Sequence, residues 1–250
     1  MKPTLIIDAD DTLWESEVYY QECIADFGKL MAAQGFDAQE AERTADEVER
    51  ERVPLVGYGP DAFVDNLVLA YERLCERHGS PVREQVADGV RGIGQQVLGH
   101  PIELLDGVAE TLPHLGDRFF LLLLTKGNTR VQQDKLARSG LGHFFDGVHV
   151  VPEKDAGVME NLMAEYGLRP DQTWMVGNSP RSDINPALQA GIGAVHIPHS
   201  RTWVFEDAAI EDPDRVIVLG GFRELMAIFA PSYAQGENSA RPPRENQDHD

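Results

Sequence analysis

Short apolar runs alternate with helical segments through the second half of the chain, and this alternation restricts the fold more than any other feature. The helical segments cover about residues 128–139, 155–166, 183–190 and 222–229. The apolar runs are FFLLLLT at 119–125, GVHVV at 147–151, TWMVGN at 173–178, GAVHI at 193–197 and RVIVL at 215–219. Such alternation favours parallel strands that are joined by right-handed helical crossovers. We therefore expect an α/β fold with a doubly wound, mostly parallel sheet.

A further apolar run at residues 4–8 predicts a buried strand near the start of the chain. The residues that follow, up to about residue 100, have a helical pattern without a strand-like run. Its last part has apolar residues at spacings of four, four, three and four, namely Val82, Val86, Val90, Ile93 and Val97. We predict that an all-helical block, residues 15–104, is inserted into a Rossmann-like core made of residues 1–14 and 105–230.

Two helices of the block have predicted ends. An acidic helix begins at Asp37 and ends before Pro54, and another has Asp61 as its N-cap and ends at Gly79. Residues 231–250 offer almost nothing to bury, so we predict that they are disordered.

The composition limits the partners of the protein. The 250 residues include 22 Lys and Arg against 42 Asp and Glu, a net charge of −20, which repels nucleic acid and anionic membrane surfaces.

The apolar run at 119–124 is far too short to span a bilayer, and no cleavable signal segment is recognised, so we expect a cytoplasmic protein. The two cysteines, Cys23 and Cys75, have neither a CxxC spacing nor histidine partners, which argues against disulfides and zinc.

Polar side chains follow the predicted strands, at the edge where a doubly wound sheet binds its ligands. Asp8 and Asp10 end the first strand, and their i, i+2 spacing in an extended chain places both on one side. The other candidates at this edge are Thr125, Lys126, Gly127 and Asn128 after the second strand, Lys154 after the third, and Asn178, Ser179 and Asp183 after the fourth.

These residue types indicate phosphoryl chemistry. Carboxylates without nearby His or Cys suit Mg²⁺, which prefers oxygen ligands and often bridges to phosphate. A carboxylate can attack a phosphoryl group if the metal and Lys154 offset the repulsion between anions. The leaving alkoxide needs a proton, and Asp10 can supply it if the negative charges of Asp8 and Asp11 raise the pKa of its carboxyl.

The order of these motifs resembles that of the haloacid dehalogenase-like (HAD) hydrolase superfamily. The matching features are DADDTL at residues 8–13, Thr125 at a strand end, Lys154, and GNSPRSD, which begins 23 residues after that lysine. The resemblance covers roughly residues 4–200. It implies a sheet in which the first strand lies between the second and the fourth, and a helical cap that closes over small substrates.

The resemblance also assigns roles to residues. Asp8 corresponds to the nucleophile and a metal ligand, and Asp10 to the general acid and base, with its backbone carbonyl also on the metal. Thr125 and Lys154 correspond to the pair that binds the phosphoryl group. Lys126 and Gly127, which directly follow Thr125, are also expected to bind the substrate. The metal ligands implied are Asp8, Asp10, Asn178 and Asp183.

One position departs from the family pattern. The fourth motif usually begins with Gly-Asp, whereas this chain has Gly177-Asn178, so one carboxylate is replaced by a neutral amide and we expect weaker Mg²⁺ binding. Dehalogenases of the superfamily lack the second Asp of the first motif, and Asp10 is present here. We therefore predict a Mg²⁺-dependent phosphatase that hydrolyses a small phosphorylated metabolite through an aspartyl-phosphate.

Alternative interpretations remain open at this point. A phosphomutase or phosphotransferase, a 2-haloacid dehalogenase and a catalytically impaired binding protein are the competing functions. Trp14 is interpreted either as a wall of the pocket or as core, Ser179 either as part of the metal site or as a helix cap, and Gly177 as a turn residue. Asp11 is expected to be structural. The substrate and the oligomeric state are not determined by the sequence.

Overall fold

The computed structural model describes residues 2–203 and 205–229 of the chain. Its centre is a six-stranded sheet in which every neighbouring pair of strands is parallel. The strands are β1 (Thr4–Ile7), β2 (Phe120–Lys126), β3 (Gly147–Val151), β4 (Thr173–Gly177), β5 (Gly193–His196) and β6 (Val216–Val218). Their order is β3-β2-β1-β4-β5-β6. The predicted α/β class and the position of β1 between β2 and β4 are confirmed.

Helices cover both faces of the sheet, which explains why its strands are apolar runs rather than alternating patterns. The α-helices of the described residues are α1 (Glu17–Ala33), α2 (Ala38–Val56), α3 (Pro60–Arg77), α4 (Glu84–Gln95), α5 (Val108–Arg118), α6 (Thr129–Ser139), α7 (Ala156–Tyr166), α8 (Asn185–Gln189) and α9 (Leu225–Phe229). Leu5 and Ile7 pack on one face with Leu112 of α5, and Ile6 packs on the other with Met159 of α7. No helix of residues 2–203 and 205–229 is long and apolar enough to cross a membrane.

The helices α1 to α4 lie between β1 and β2 in the chain and have an apolar cluster of their own. Its fully buried members include Phe27, Met31, Leu67, Leu74 and Val90. The predicted strand-free region therefore exists as four packed helices.

The ends of some helices differ from the prediction. The helix that begins after Asp37 continues through Pro54 to Val56. Pro54 lies in the last turn, where its missing N–H removes the bond to the carbonyl of Arg50, and the helix ends two residues later at Val56. The next helix begins at Pro60 rather than after Asp61, because proline fits the first helical position, whose N–H lacks an intrahelical partner. Val82, predicted as part of an apolar stripe, lies before α4 and is 48% exposed.

The helix α5 was not predicted, since Pro113 and Gly116 interrupt its pattern. Its residues Val108, Leu112 and Leu115 are fully buried against the sheet, so tertiary contacts outweigh the two unfavourable residues. The predicted disorder of residues 231–250 falls outside the described residues.

Candidate active site

A buried lysine links the ends of three strands. Asp8 follows β1, Lys154 follows β3 and Asp183 follows β4. The Nζ of Lys154 donates hydrogen bonds to Oδ1 of Asp8 at 2.6 Å and to Oδ1 of Asp183 at 2.5 Å. All three residues are at most 6% exposed. Because parallel strands end at one edge, residues far apart in sequence meet here, as the motif order predicted.

This trio carries an excess of negative charge. Burial raises the pKa of Asp8 to about 7, and Asp183 adds to the rise while Lys154 opposes it. Burial alone would lower the pKa of Lys154, but Asp183 and Asp8 together raise it, so the lysine is charged at neutral pH. Two carboxylates thus share one ammonium group, an arrangement that favours a further cation or a proton.

Asn178 is connected to Asp8 through a hydroxyl group. The Oγ1 of Thr12 donates to Oδ2 of Asp8 at 3.0 Å and lies 3.4 Å from Oδ1 of Asn178. The Nδ2 of Asn178 donates to Oγ1 of Thr202 at 3.3 Å, which fixes the orientation of the amide. The amide oxygen of Asn178 is therefore on the side of Asp8. Thr12 belongs to the first motif, yet its role was not predicted.

Gly177 is required because Asp183 lies against it. A Cβ at this position would be 2.2 Å from Oδ2 of Asp183. The same oxygen accepts the backbone N–H of Ser179 at 3.0 Å. The backbone of Gly177 does not have a positive φ. The interpretation of Gly177 as a turn residue is therefore wrong, and close approach of the carboxylate is the physical reason for glycine.

The surroundings of Asp10 differ from the prediction. Its Oδ1 accepts from Trp14 Nε1 at 2.7 Å and from Lys135 Nζ at 2.9 Å, and its Oδ2 accepts from Gln132 Nε2 at 2.8 Å. Burial raises the pKa of Asp10, but Lys135 and these hydrogen bonds outweigh it and lower the pKa below 3.8. The expected rise through Asp8 and Asp11 is therefore wrong for the free protein.

Gln132 and Lys135 were not predicted as site residues. They lie three residues apart on α6, four and seven residues after its N-cap Asn128. That spacing places them on one helix face, but the sequence does not reveal that this face lies beside Asp10. Trp14 is fully buried and contacts Asp10, so it is both core and a site neighbour.

Asp11 has the structural role that was expected. It has a φ of 57°, and its carboxylate accepts the backbone N–H groups of Ser16 at 2.8 Å and Glu17 at 3.1 Å at the start of α1. Burial, followed by the charge of Asp10, raises its pKa to about 7. Asp11 also approaches Glu15 and His199, with one atom of each within 4.8 Å. This cluster suits Mg²⁺ poorly, because it includes an imidazole and both Asp11 oxygens already bind N–H groups.

The last two residues of β2 and the glycine that follows them are among the residues predicted to bind the phosphoryl group. Thr125 is 2% exposed and Gly127 has a φ of 125°, which favours glycine. The Nζ of Lys126 donates to Ser182 Oγ at 3.1 Å and to the Glu206 carboxylate. It also lies 4.3 Å from the ring centroid of Tyr58. Lys126 therefore already has protein partners, and its expected contact with the substrate stays a prediction.

Ser179 and Glu206 are connected to Lys126 by hydrogen bonds. Ser179 Oγ accepts the backbone N–H of Ser182 at 2.9 Å and donates to Glu206 Oε2 at 2.6 Å. Burial raises the pKa of Glu206, but Lys126 outweighs it, so the carboxylate stays ionised. Ser179 thus caps the π-helical turn Pro180–Ile184, in agreement with one of its two interpretations. Glu206 was not predicted, since no motif marks the segment after Thr202.

One cavity of about 490 Å³ brings the predicted residues together. The eight residues with an expected catalytic, substrate-binding or metal-binding role all line it, namely Asp8, Asp10, Thr125, Lys126, Gly127, Lys154, Asn178 and Asp183. The opposite wall comes from α1, α2, α3 and the segment around Trp203 and Phe205. The cavity therefore lies between the sheet edge and the inserted helices.

The donor set fits a hard divalent cation such as Mg²⁺. Asp8 and Asp183 supply carboxylate oxygens and Asn178 an amide oxygen, with no Cys or His of the described residues lining the cavity. The side-chain oxygens of Asp10 have protein donors instead, so its predicted contact with the metal through the backbone carbonyl stays a prediction.

Comparison with known proteins agrees with this geometry. The chain is 26% identical to a phosphoserine phosphatase of Thermus thermophilus, over 90% of this chain and 98% of that protein. It is 25% identical to a glyceraldehyde 3-phosphate phosphatase of Methanopyrus kandleri, over 86% of this chain and 91% of that protein.

Solved structures share the fold over nearly the full length. A haloacid dehalogenase-like family hydrolase from Xanthomonas campestris superposes with a TM-score of 0.78 and 28% identity, over 94% of this chain and 93% of that one. A 2-haloacid dehalogenase from Pseudomonas syringae has a TM-score of 0.59 at 19% identity, over 93% and 100%, and shows the fold alone. The family model for haloacid dehalogenase-like hydrolases matches residues 2–191, and the chain belongs to that family of hydrolases.

Proposed function

We propose that the protein is a Mg²⁺-dependent phosphatase that hydrolyses a small phosphorylated metabolite through an aspartyl-phosphate on Asp8. The observation that carries this proposal is the buried Asp8–Lys154–Asp183 arrangement at the sheet edge. Relatives named as phosphatases across most of the chain support the reaction class. The cytoplasmic location stays a prediction.

The first step transfers the phosphoryl group to the protein. A carboxylate oxygen of Asp8 attacks phosphorus, the bond from phosphorus to the ester oxygen breaks, and the leaving oxygen takes a proton from Asp10. Lys154 offsets the charge between the anionic carboxylate and the anionic phosphate, and Thr125 binds a phosphoryl oxygen. Mg²⁺ held by Asp8, Asp183 and Asn178 would neutralise further charge.

The second step returns the protein to its starting state. Water attacks phosphorus, Asp10 accepts the proton of that water, and the bond from Asp8 to phosphorus breaks. The lowered pKa of Asp10 keeps its carboxylate ionised in the free protein, so it is in the form that can accept this proton. In the first step the negative charge of the bound phosphate raises that pKa and favours the protonated form. Trp14 and Gln132 keep the carboxyl in one orientation through both steps.

We also propose that residues 15–104 act as a cap over a core of residues 1–14 and 105–230. The separate apolar cluster of α1 to α4 supports this division, and so does the cavity that both parts line. A cavity of about 490 Å³ suits a small metabolite rather than a polymer.

The direct test is hydrolysis of an aryl phosphate with and without Mg²⁺. We expect metal-dependent turnover by the wild-type protein and by Asp65→Asn, which changes an exposed aspartate of α3 that does not line the cavity. Asp8→Asn should be folded and inactive. Substantial turnover by Asp8→Asn would contradict the assignment of the nucleophile.

Asn178 motivates a second candidate, a protein with an impaired catalytic site that only binds its ligand. Restoring the carboxylate with Asn178→Asp distinguishes the two. A working metal site predicts tighter Mg²⁺ binding and faster turnover in this variant, and an impaired one predicts neither.

The hydrogen bonds that hold Asp10 at the site speak against a dehalogenase, because a leaving halide needs no proton donor. Chloride release from a 2-haloacid would test that alternative, and product analysis with a sugar phosphate would test a mutase.

A further inference from the structure

A tyrosine of the inserted helices lies against the core and lines the cavity. Tyr58 is in the loop between α2 and α3, with a glycine on each side of it. Gly57 and Gly59 have φ values of 78° and 145°, which residues with a side chain rarely adopt. A Cβ added to Gly59 would lie 3.8 Å from Cβ of Asn128, at the start of α6. The loop that carries Tyr58 therefore lies close to the core.

Tyr58 contacts residues at or after the ends of three strands of the core. Its ring centroid lies 4.3 Å from Nζ of Lys126, the last residue of β2. Its ring meets that of Trp203, after β5, edge to face at a centroid distance of 5.6 Å. Its hydroxyl group forms a hydrogen bond with the carboxylate of Glu153, after β3. A cation–π contact, an aromatic contact and a hydrogen bond thus join one side chain to the core.

Two further contacts connect the same part of the core to α2. The indole of Trp203 donates a hydrogen bond to the carboxylate of Glu49. The guanidinium carbon of Arg50 lies 5.7 Å from the ring centroid of Phe205. The rings of Trp203 and Phe205 contact each other at a centroid distance of 4.4 Å. The two aromatic residues of the core therefore form one surface that α2 and Tyr58 contact.

The residues beside these two aromatic side chains hold the active site. Thr202 Oγ1 accepts the hydrogen bond from Asn178 Nδ2 at 3.3 Å. The carboxylate of Glu206 accepts a hydrogen bond from Lys126. The backbone N–H of Glu206 donates to the carbonyl oxygen of Trp203 at 2.8 Å, which joins the two ends of this stretch. One short stretch of chain thus binds the inserted helices with two side chains and the site with two others.

We propose that this stretch, the bridging segment of residues 202, 203, 205 and 206, couples closure of the helical cap to the arrangement of the active site. Tyr58 and Trp203 are its positioning residues. The inference rests on the proposed function, in which the inserted helices are a cap. In the closed arrangement Tyr58 restrains both Trp203 and the ammonium group of Lys126. Opening of the cap removes these contacts, so the side chains that bind the site are less restrained and the site is less well ordered for catalysis.

A double-mutant cycle tests the two sides of the bridging segment. Tyr58→Leu removes the aromatic contact with the cap, and Thr202→Val removes the hydroxyl group that holds Asn178. Each variant should lower kcat/KM for an aryl phosphate by about fivefold. The double variant should lose little more than either single variant, because each change already breaks the coupling, whereas independent effects would multiply.

Mg²⁺ binding, measured by calorimetry, tests the coupling without turnover. The contacts of Tyr58 described above are with Lys126, Glu153 and Trp203, and none of these is a proposed metal ligand. Tyr58→Leu should nevertheless weaken Mg²⁺ binding by about threefold or more, since the bridging segment holds Asn178 less firmly. Tyr58→Phe keeps the aromatic ring and should bind Mg²⁺ like the wild type.

The matched control is Phe36→Leu, which removes an aromatic ring between α1 and α2. Phe36 is half-buried, contacts His78 of the inserted helices and does not line the cavity. Both kcat/KM and Mg²⁺ affinity should stay at the wild-type values in this variant.

Three results would overturn the inference. These are multiplied losses in the double variant, wild-type Mg²⁺ affinity in Tyr58→Leu, and an equal loss in Phe36→Leu, which would trace the effect to packing of the inserted helices. Failure of the proposed function is distinguishable, because the wild-type protein would then neither bind Mg²⁺ nor hydrolyse the aryl phosphate. A wild-type protein that does both, with a Tyr58→Leu variant that matches it, would overturn the coupling alone.

Discussion

The ammonium group of Lys135 lies 2.9 Å from Oδ1 of Asp10, so a residue of α6 controls the carboxyl that we propose as proton donor and acceptor. The same ammonium group donates to Ser16 Oγ at 3.1 Å, which joins α6 to the start of α1. Burial would raise the pKa of Asp10, but Lys135, together with hydrogen bonds from Gln132 and Trp14, outweighs it and lowers the pKa. The ionisation of Asp10 is therefore set by a side chain 125 residues away.

Replacing Lys135 should shift the pH dependence of the reaction. Lys135→Met removes the charge that lowers the pKa of Asp10, while burial continues to raise it. We expect the limb of the kcat/KM profile that belongs to Asp10 to move to higher pH by about one unit or more. The measurement is aryl phosphate hydrolysis across the pH range at saturating Mg²⁺.

The matched control is Lys135→Arg, which keeps a positive charge beside Asp10. Its profile should stay near that of the wild type, even if kcat falls through a change in geometry. A role of Lys135 in packing alone would lower kcat in Lys135→Met without moving either limb, and that outcome would contradict the prediction.

Removing Lys154 should destabilise the fold as well as abolish turnover. In Lys154→Met the buried carboxylates of Asp8 and Asp183 lose their shared partner, and we expect a loss of about 3 kcal/mol or more in the free energy of unfolding. Mg²⁺ should narrow the difference, because a cation between the carboxylates replaces the lost charge. Urea unfolding with and without Mg²⁺ measures both effects.

The control for Lys154 is Lys29→Met, which breaks an exposed ion pair with Asp26 and should change stability little. Equal unfolding midpoints for Lys154→Met and the wild type would show that Asp8 and Asp183 are solvated or protonated. That result would contradict the buried ion pairs of Lys154 with these two carboxylates.

The fold could be predicted largely from local patterns. Five apolar runs and the run at residues 4–8 became the six strands, because strands covered on both faces leave a clear signal in the sequence. The missed helix α5 shows the limit of this approach. Pro113 and Gly116 weaken its local preference, and only burial of Leu112 and Leu115 against the sheet explains why it forms.

The candidate site likewise contains residues that the sequence predicts and residues that it does not. Asp8, Lys154 and Asp183 were predicted to meet because strand ends converge in a parallel sheet, and the structure brings them within hydrogen-bonding distance. Lys135 and Glu206 were not predicted, since their positions depend on how α6 and a non-repetitive segment lie on the core. The direction of the Asp10 pKa shift was wrong for the same reason.

Gly177→Ala should damage the site through a single methyl group. The added Cβ would be 2.2 Å from Oδ2 of Asp183, so the carboxylate must move away from the Ser179 backbone N–H that it accepts. We expect a loss of stability of about 1–3 kcal/mol and weaker Mg²⁺ binding by calorimetry.

The comparison for this variant is Gly92→Ala on α4, where an added Cβ meets nothing within 4 Å. It should stabilise the protein by about 0.5–1 kcal/mol, since alanine is the better helix former. If Gly177→Ala were as stable as the wild type and bound Mg²⁺ equally well, the close approach of Asp183 would not be the reason for glycine at this position.

Glu17 should make the stability of the protein fall as the pH rises. Burial raises its pKa from 4.5 to about 9, so the folded state binds a proton that the unfolded state releases between these values. The folded state therefore loses stability across this window. Burial also raises the pKa values of Asp8, Asp11 and Glu49 to about 7, so the decline that belongs to Glu17 extends to higher pH than theirs. In Glu17→Gln the decline should be smaller, with a gain of about 1 kcal/mol at pH 9 after solvent screening is considered. Urea unfolding at several pH values measures this gain, and parallel curves for variant and wild type above pH 7.5 would show that Glu17 is already ionised at neutral pH.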